Sequence, residues 1–209
     1  MLAKYPTPQH WRKVRFSDET HFGYDSQGRV WVTRKPGERY CPDCVQQKDL
    51  PKEKDTNQVH TWGAIGYNYK SKLYRYDTNT SNGKMTQKVY LELLQAECTS
   101  WPSDAVLEED RDSGHGTSES NPIRTWKEQQ CLLHYFNCVR SPDLSPIENA
   151  WQAPKAHVRK FASWDDESVW KVSQEGWNKL PQKTINAWID SMPARLQAVI
   201  DGKGQMTAY

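Results

Sequence analysis

Residues 11–33, WRKVRFSDETHFGYDSQGRVWVT, decide how the chain is read. Residues 14–18 alternate apolar and polar side chains at a period of two, which predicts a half-buried strand, and this strand ends on an acid, Asp18. His21 to Tyr24 carries it on to a turn at residues 25–28. The β-rich residues 29–33 predict a hairpin partner. Outward from the hairpin, residues 34–57 are polar, hold Pro36, Gly37, Pro42 and Pro51, and predict a long loop, a length that usually carries function. Residues 59–69 and 72–76 predict two further strands.

The period then changes. Residues 86–95, with Val89, Leu91, Leu93 and Leu94 in a helix-forming background, predict a helix. Residues 105–110 predict a short strand ending in acid, 111–121 a loop, 122–130 a short helix and 132–139 a strand. Pro146 suits a helix start, so a helix is expected from there to about Phe161. Ser163 and Asp166 resemble a capping box for a helix reaching Leu180. Trp170 and Trp177, seven apart, share one of its faces and read as core. Pro181 opens a last helix that Pro193 should kink and Gly202 should close, which makes residues 146–202 a helical C-terminal part. This order predicts an α/β chain, a mixed sheet flanked by helices with a C-terminal helical extension, in one domain over residues 1–209.

Composition narrows the function classes. In 209 residues 36% are hydrophobic, yet ten Trp and ten Tyr supply enough buriable area to argue against disorder. The apolar runs are too short to span a membrane, and the first residues have no apolar core of a secretory signal. Five Cys, an odd number without framework spacing, favour a reducing, intracellular compartment. Net charge is +2 but uneven: +6 over residues 1–95, −6 over 96–148 and +2 over 149–209. The basic first part would suit a polyanion and the acidic middle cations, although solvated surface alone accounts for both.

Asp18 and Asp110 end predicted strands and Glu148 opens a helix directly after another. In an α/β sheet such positions converge at one end. Three carboxylates there would make an oxygen-rich cage suited to Mg²⁺, and two ions would clamp an in-line phosphoryl displacement. Cys41-Pro42-Asp43-Cys44 has the spacing of half a zinc site. No second pair follows, and Cys131, His134 and Cys138 would complete it only if the fold brought them close, so free thiols are expected. Lys155, His157, Arg159 and Lys160 continue from Glu148 as a basic surface that would track a DNA backbone.

The local strings carry a resemblance. WRKVRFSDETHF (11–22), VHTWGAIGYN (59–68), LEEDRDSGH (107–115), SPDLSPIENAW (141–151) and SMPARLQAVIDGKGQMTAY (191–209) resemble, in order, five blocks of the mariner superfamily of cut-and-paste DNA transposases, in its Tc-one-like branch. The resemblance implies a ribonuclease-H-like catalytic domain whose Asp-Asp-Glu triad is Asp18, Asp110 and Glu148. It implies two Mg²⁺ or Mn²⁺ ions per site, double-stranded DNA as partner, a homodimer on that DNA, no small-molecule cofactor, no membrane and a nuclear location. Asp143 is an alternative third acid, though the motif points to Glu148. His115 would position water or phosphate, and Arg34 and Lys35 fall where the family has a loop contacting DNA or a partner subunit. Two departures stand out. Arg111 occupies a position where Asn is usual, and alternation along an extended segment would aim it away from the site. The family also carries two helix-turn-helix modules before the domain, and since Met1 stands about seventeen residues before Asp18 these are expected to be absent, which makes a catalytically silent remnant with weak nonspecific nucleic-acid binding the second reading.

Overall fold

The structure is a computed structural model that describes residues 4–23, 58–77, 85–118, 121–138, 141–161, 165–205 and 207–209. The expected hairpin partner at 29–33, the loop 34–57 and, with it, Arg34, Lys35, Cys41 and Cys44 lie outside the described residues.

A short helix α1 (Pro8–Trp11) leads into β1 (Val14–Gly23), β2 (Gln58–Gly66), β3 (Tyr69–Lys70) and β4 (Tyr74–Arg75). Next come α2 (Gln87–Cys98), β5 (Val106–Glu109), α3 (Pro122–Gln129) and β6 (Leu133–Phe136). The chain ends in α4 (Pro146–Val158), α5 (Asp166–Lys179), α6 (Gln182–Asp190) and α7 (Met192–Asp201). The sheet runs β3-β2-β1-β5-β6, with β4 also on β2. β1 pairs antiparallel with β2 from Arg15↔Gly66 to Gly23↔Gln58, whereas β5 and β6 run parallel to it. The sheet is therefore mixed, as expected.

Period-two alternation sends neighbouring side chains to opposite faces, and each face has its own core. Val14, Phe16, Phe22, Val59, Ile65 and Val106 meet Ile147, Trp151, Trp177, Ile185 and Ile189 from α4, α5 and α6. On the other face Trp62, Ala64 and Leu107 meet Tyr90, Leu93 and Leu94 of α2 and Ile123 of α3. Tyr90, Leu93, Leu94 and Glu97 stand at helical spacing on the buried stripe of α2, whose start is capped by the Thr86 hydroxyl accepting from Val89 N.

Several expectations need correction. Asp18 does not end β1 but sits in its middle. It lies instead two residues past Phe16↔Glu108, where pairing with the parallel strand β5 stops, so the switch from parallel to antiparallel pairing marks the site rather than the strand end. The cap of α5 is Asp165, not Ser163: its side chain accepts from Ser168 N at 2.7 Å, and the Ser168 side chain completes the box. Pro193 does not kink a continuous helix. It takes an early position of α7, where a missing N–H costs nothing, after α6 has ended at Asp190. Trp177 is fully buried as expected, and Trp170 packs partly buried against the same core.

Candidate active site

A groove of about 420 Å³ opens at this switch point. Asp18, Asp110 and Glu148 all line it, together with Arg111, Glu108 and Ser145. Three separate elements deliver the three acids. Asp18 comes from β1 on the face covered by α4. Asp110 directly follows β5. Glu148 stands in the first turn of α4, where the helix dipole favours a carboxylate.

Asp18 is half-buried, and its Oδ2 accepts from Trp151 Nε1 at 2.9 Å. Burial pushes its carboxyl well above the usual range, the nearby Glu19 and Glu148 push it further, and the Trp151 bond opposes them. Asp110 is exposed. Its Oδ1 accepts from Asp112 N at 2.9 Å and lies 2.7 Å from His115 Nδ1. The other ring nitrogen of His115, Nε2, stands 3.2 Å from Glu19 Oε1. His115 thus bridges Glu19, on the face of β1 opposite Asp18, to Asp110. Burial works against its charged form, but Asp110 and Glu19 outweigh it and hold the imidazole well above the usual range.

The neighbouring carboxyls are stacked by strand alternation. Glu108 shares the face of Asp18. It is buried, accepts from the Ser145 hydroxyl at 3.2 Å, and is pushed up chiefly by burial. Glu109 faces the other way into a closed ion pair with Lys127, both side chains without solvent exposure. Asp143 is committed elsewhere: its Oδ2 accepts from both the N–H and the hydroxyl of Thr207, each at 2.8 Å, and Arg195 Nη1 donates to its carbonyl at 2.9 Å. It does not line the groove shared by Asp18 and Asp110, and Glu148 does.

Arg111 lines that groove rather than pointing away, because the strand has already ended at Glu109 and strict alternation no longer applies. Lys155 lies seven residues after Glu148, two helical turns along the same face, with Arg159 just past the helix end and Lys160 exposed beside it. Among the described residues no group of three His, Cys, Asp or Glu stands close enough to grip a cation as placed. Cys131, His134 and Cys138 accordingly form no such group. No helix among them is long and apolar enough to cross a membrane.

Sequence reasoning overlooked Glu19, Glu108, Trp151 as a donor, and the Glu109–Lys127 pair. Two signals were available: acids inside the apolar run of residues 105–110, and Lys127 four residues after Ile123 on the buried stripe of α3.

Residues 13–171 match the family described as DDE superfamily endonuclease. The chain is 30% identical over 207 residues to the transposable element Tcb2 transposase of Caenorhabditis briggsae, covering 96% of this chain and 72% of that protein. Its fold is similar to that of a pre-cleavage Mos1 transpososome, with a TM-score of 0.73 at 14% identity. That match covers 99% of this chain, which spans 60% of the Mos1 chain. It is also similar to the Mos1 transposase catalytic domain with Raltegravir and Mg, at TM-score 0.68 and 15% identity, over 99% and 90% of the two chains. The likeness bears out the ribonuclease-H-like fold.

Proposed function

This chain belongs to the DDE superfamily endonuclease family, alongside the Tc1/mariner transposases, and from that membership we propose that it is the catalytic domain of a cut-and-paste DNA transposase. The observation that carries the reading is the single groove lined by Asp18, Asp110 and Glu148. The reaction is cleavage of phosphodiester bonds at transposon ends followed by strand transfer into target DNA, in the nucleus, by a homodimer on double-stranded DNA.

The donor set fits Mg²⁺ or Mn²⁺. All three groups offer hard oxygen ligands, and Asp18 is burdened by neighbouring carboxyls in the way a cation relieves. When bound, two such ions would supply Lewis acidity and neutralise charge at the phosphate. The chain's own residues do the rest. Trp151 orients Asp18. His115 holds Asp110 beside the groove, and Asp18, Asp110 and Glu148 would hold the ions. Lys155, Arg159 and Lys160 carry the DNA backbone away from Glu148, and Arg34 and Lys35 are assigned the same task.

Calorimetry with Mn²⁺ tests the site: Asp110→Asn should lose most of the affinity, and equal affinity in both proteins would sink the assignment. DNA binding by this chain should be weak, salt-sensitive and indifferent to sequence, since net charge is +2 and phosphate contact supplies the affinity. Tight, sequence-selective binding to one duplex at physiological salt would refute that. The second reading, a fold retained without turnover, is favoured by the Arg111 cation in the groove. It predicts intact folding with no Mn²⁺-dependent nicking of supercoiled plasmid.

A further inference from the structure

Lys127 and Glu109 form an ion pair from which water is wholly excluded. Lys127 Nζ donates to Glu109 Oε1 at 2.6 Å and Oε2 at 2.5 Å, and makes a third bond, 2.7 Å long, to the carbonyl of His115. Tyr90 OH donates to the same Glu109 carboxylate, and its ring lies 4.3 Å from the His115 ring. Glu109 directly precedes Asp110, and His115 ends the 3-10 turn that follows it. One ammonium therefore grips the chain on both sides of Asp110. The turn is also locked at its exit: Gly116 has φ +92°, and a side chain there would press on Arg124 N at 3.0 Å.

A buried pair of this kind is a poor device for stability. Desolvating both charges costs about as much as their attraction returns, and apolar residues of similar volume often replace such pairs without loss. What apolar residues cannot replace is the third bond, to the His115 carbonyl. We propose that Lys127, aimed by Glu109, is a positioning residue that fixes the segment from Asp110 to His115, and so sets where Asp110 faces the groove and where the His115 imidazole meets it. The inference rests on the proposed function only for its effect on the metal site. The positioning itself is a property of the folded chain.

The test is the whole chain carrying Glu109→Leu and Lys127→Met together with Tyr90→Phe, which removes both charges and the hydroxyl that donates to Glu109, so that of this cluster only the His115 carbonyl loses its partner. Three quantities are read: thermal stability, hydrogen exchange of the Gly114 and His115 amides, and Mn²⁺ affinity by calorimetry. The expected result is a melting temperature close to wild type, exchange at those two amides faster by tenfold or more, and Mn²⁺ affinity weaker by tenfold or more. A purely structural pair would leave both local readouts at wild-type values once stability is retained, and that result overturns the proposal. If wild type binds no Mn²⁺, the function reading fails and the exchange measurement still decides the positioning. Should this triple variant not fold, Glu109→Gln with Lys127→Met keeps the shape of both side chains, removes the same donor, and is judged by the same exchange criterion.

Discussion

Trp151 Nε1 donates to Asp18 Oδ2 across 2.9 Å, and so ties the helix that presents Glu148 to the strand that presents Asp18. The same indole stacks on Trp177 of α5, with ring centroids 4.9 Å apart, so the donor is held by packing on its far side. Trp151 follows Glu148 by three positions, close to one helical turn. Whatever sets the indole also sets the start of α4 relative to Asp18.

Trp151→Phe keeps an aromatic ring against Trp177 and removes the donor. The carboxyl of Asp18, already pushed up by burial, Glu19 and Glu148, loses the bond that favours its ionised form. The expected loss is about 1–3 kcal/mol of stability, the range for a hydrogen bond to a charged group plus a small cavity. Mn²⁺ affinity should fall as well. Urea unfolding with calorimetry checks both, and unchanged Mn²⁺ binding would show that Asp18 needs no donor.

Gly63 faces Asp18 across the β1–β2 register and lies under the two indoles. A methyl group there would stand 2.9 Å from Trp151 Cη2 and 3.3 Å from two atoms of Trp177. Rigid rings cannot fold away, so Gly63→Ala should cost about 1–3 kcal/mol, as overpacked cores do. Weaker Mn²⁺ binding should follow from the displaced Trp151. An unchanged urea midpoint would mean that the stacked pair can slide on the sheet.

Glu108 gives the pH dependence. Its folded carboxyl lies well above the ordinary 4.5, chiefly through burial. Between the two values the folded state keeps a proton that the unfolded chain has released, so stability falls as pH rises. Glu108→Gln removes this burden while keeping an acceptor for Ser145. Its advantage over wild type should be small below pH 4.5 and grow above it, by at most about 1.4 kcal/mol per pH unit, until the folded value is passed. Denaturant midpoints from pH 4 to 8 check the trend, and a pH-independent difference would refute it.

That Asp18 and Glu148 belong to the lining of one groove was legible because their neighbourhoods are strings: the acid after an alternating run at Asp18, and the Pro-led helix carrying Glu148. The helices were legible from their apolar stripes, down to the burial of Trp177. The pairing of β1 with β2 was not, since the partner begins at Gln58 and local periodicity says nothing about which strand lies alongside. Glu109 and Lys127 escaped for a different reason. Pattern reading sends every charge to the surface, and only the fold shows that these two neutralise one another inside it. The resemblance assigns His115 to water or phosphate, yet its contacts to Asp110 and Glu19 join the two faces of the sheet.

Arg111 sets the last prediction. It follows Asp110 directly, is exposed, and lines the groove shared by the three acids. A permanent cation there opposes any divalent ion drawn to the same carboxylates. Because solvent reaches the guanidinium, the opposition is that of a screened surface charge, about 0.2–1 kcal/mol. Arg111→Asn should therefore tighten Mn²⁺ binding by up to about fivefold, since about 1.4 kcal/mol makes a factor of ten. Added salt should narrow the gap between the two proteins, because screening weakens an exposed charge more than a buried one. Plasmid nicking in Mn²⁺ should rise by a similar factor if the cation acts on the reacting state as it does on binding. Calorimetry at low and high salt separates this from a steric effect, which salt would leave unchanged. Equal affinities at low salt would make Arg111 a bystander, and the departure from Asn after Asp110 would then say nothing about whether the site turns over.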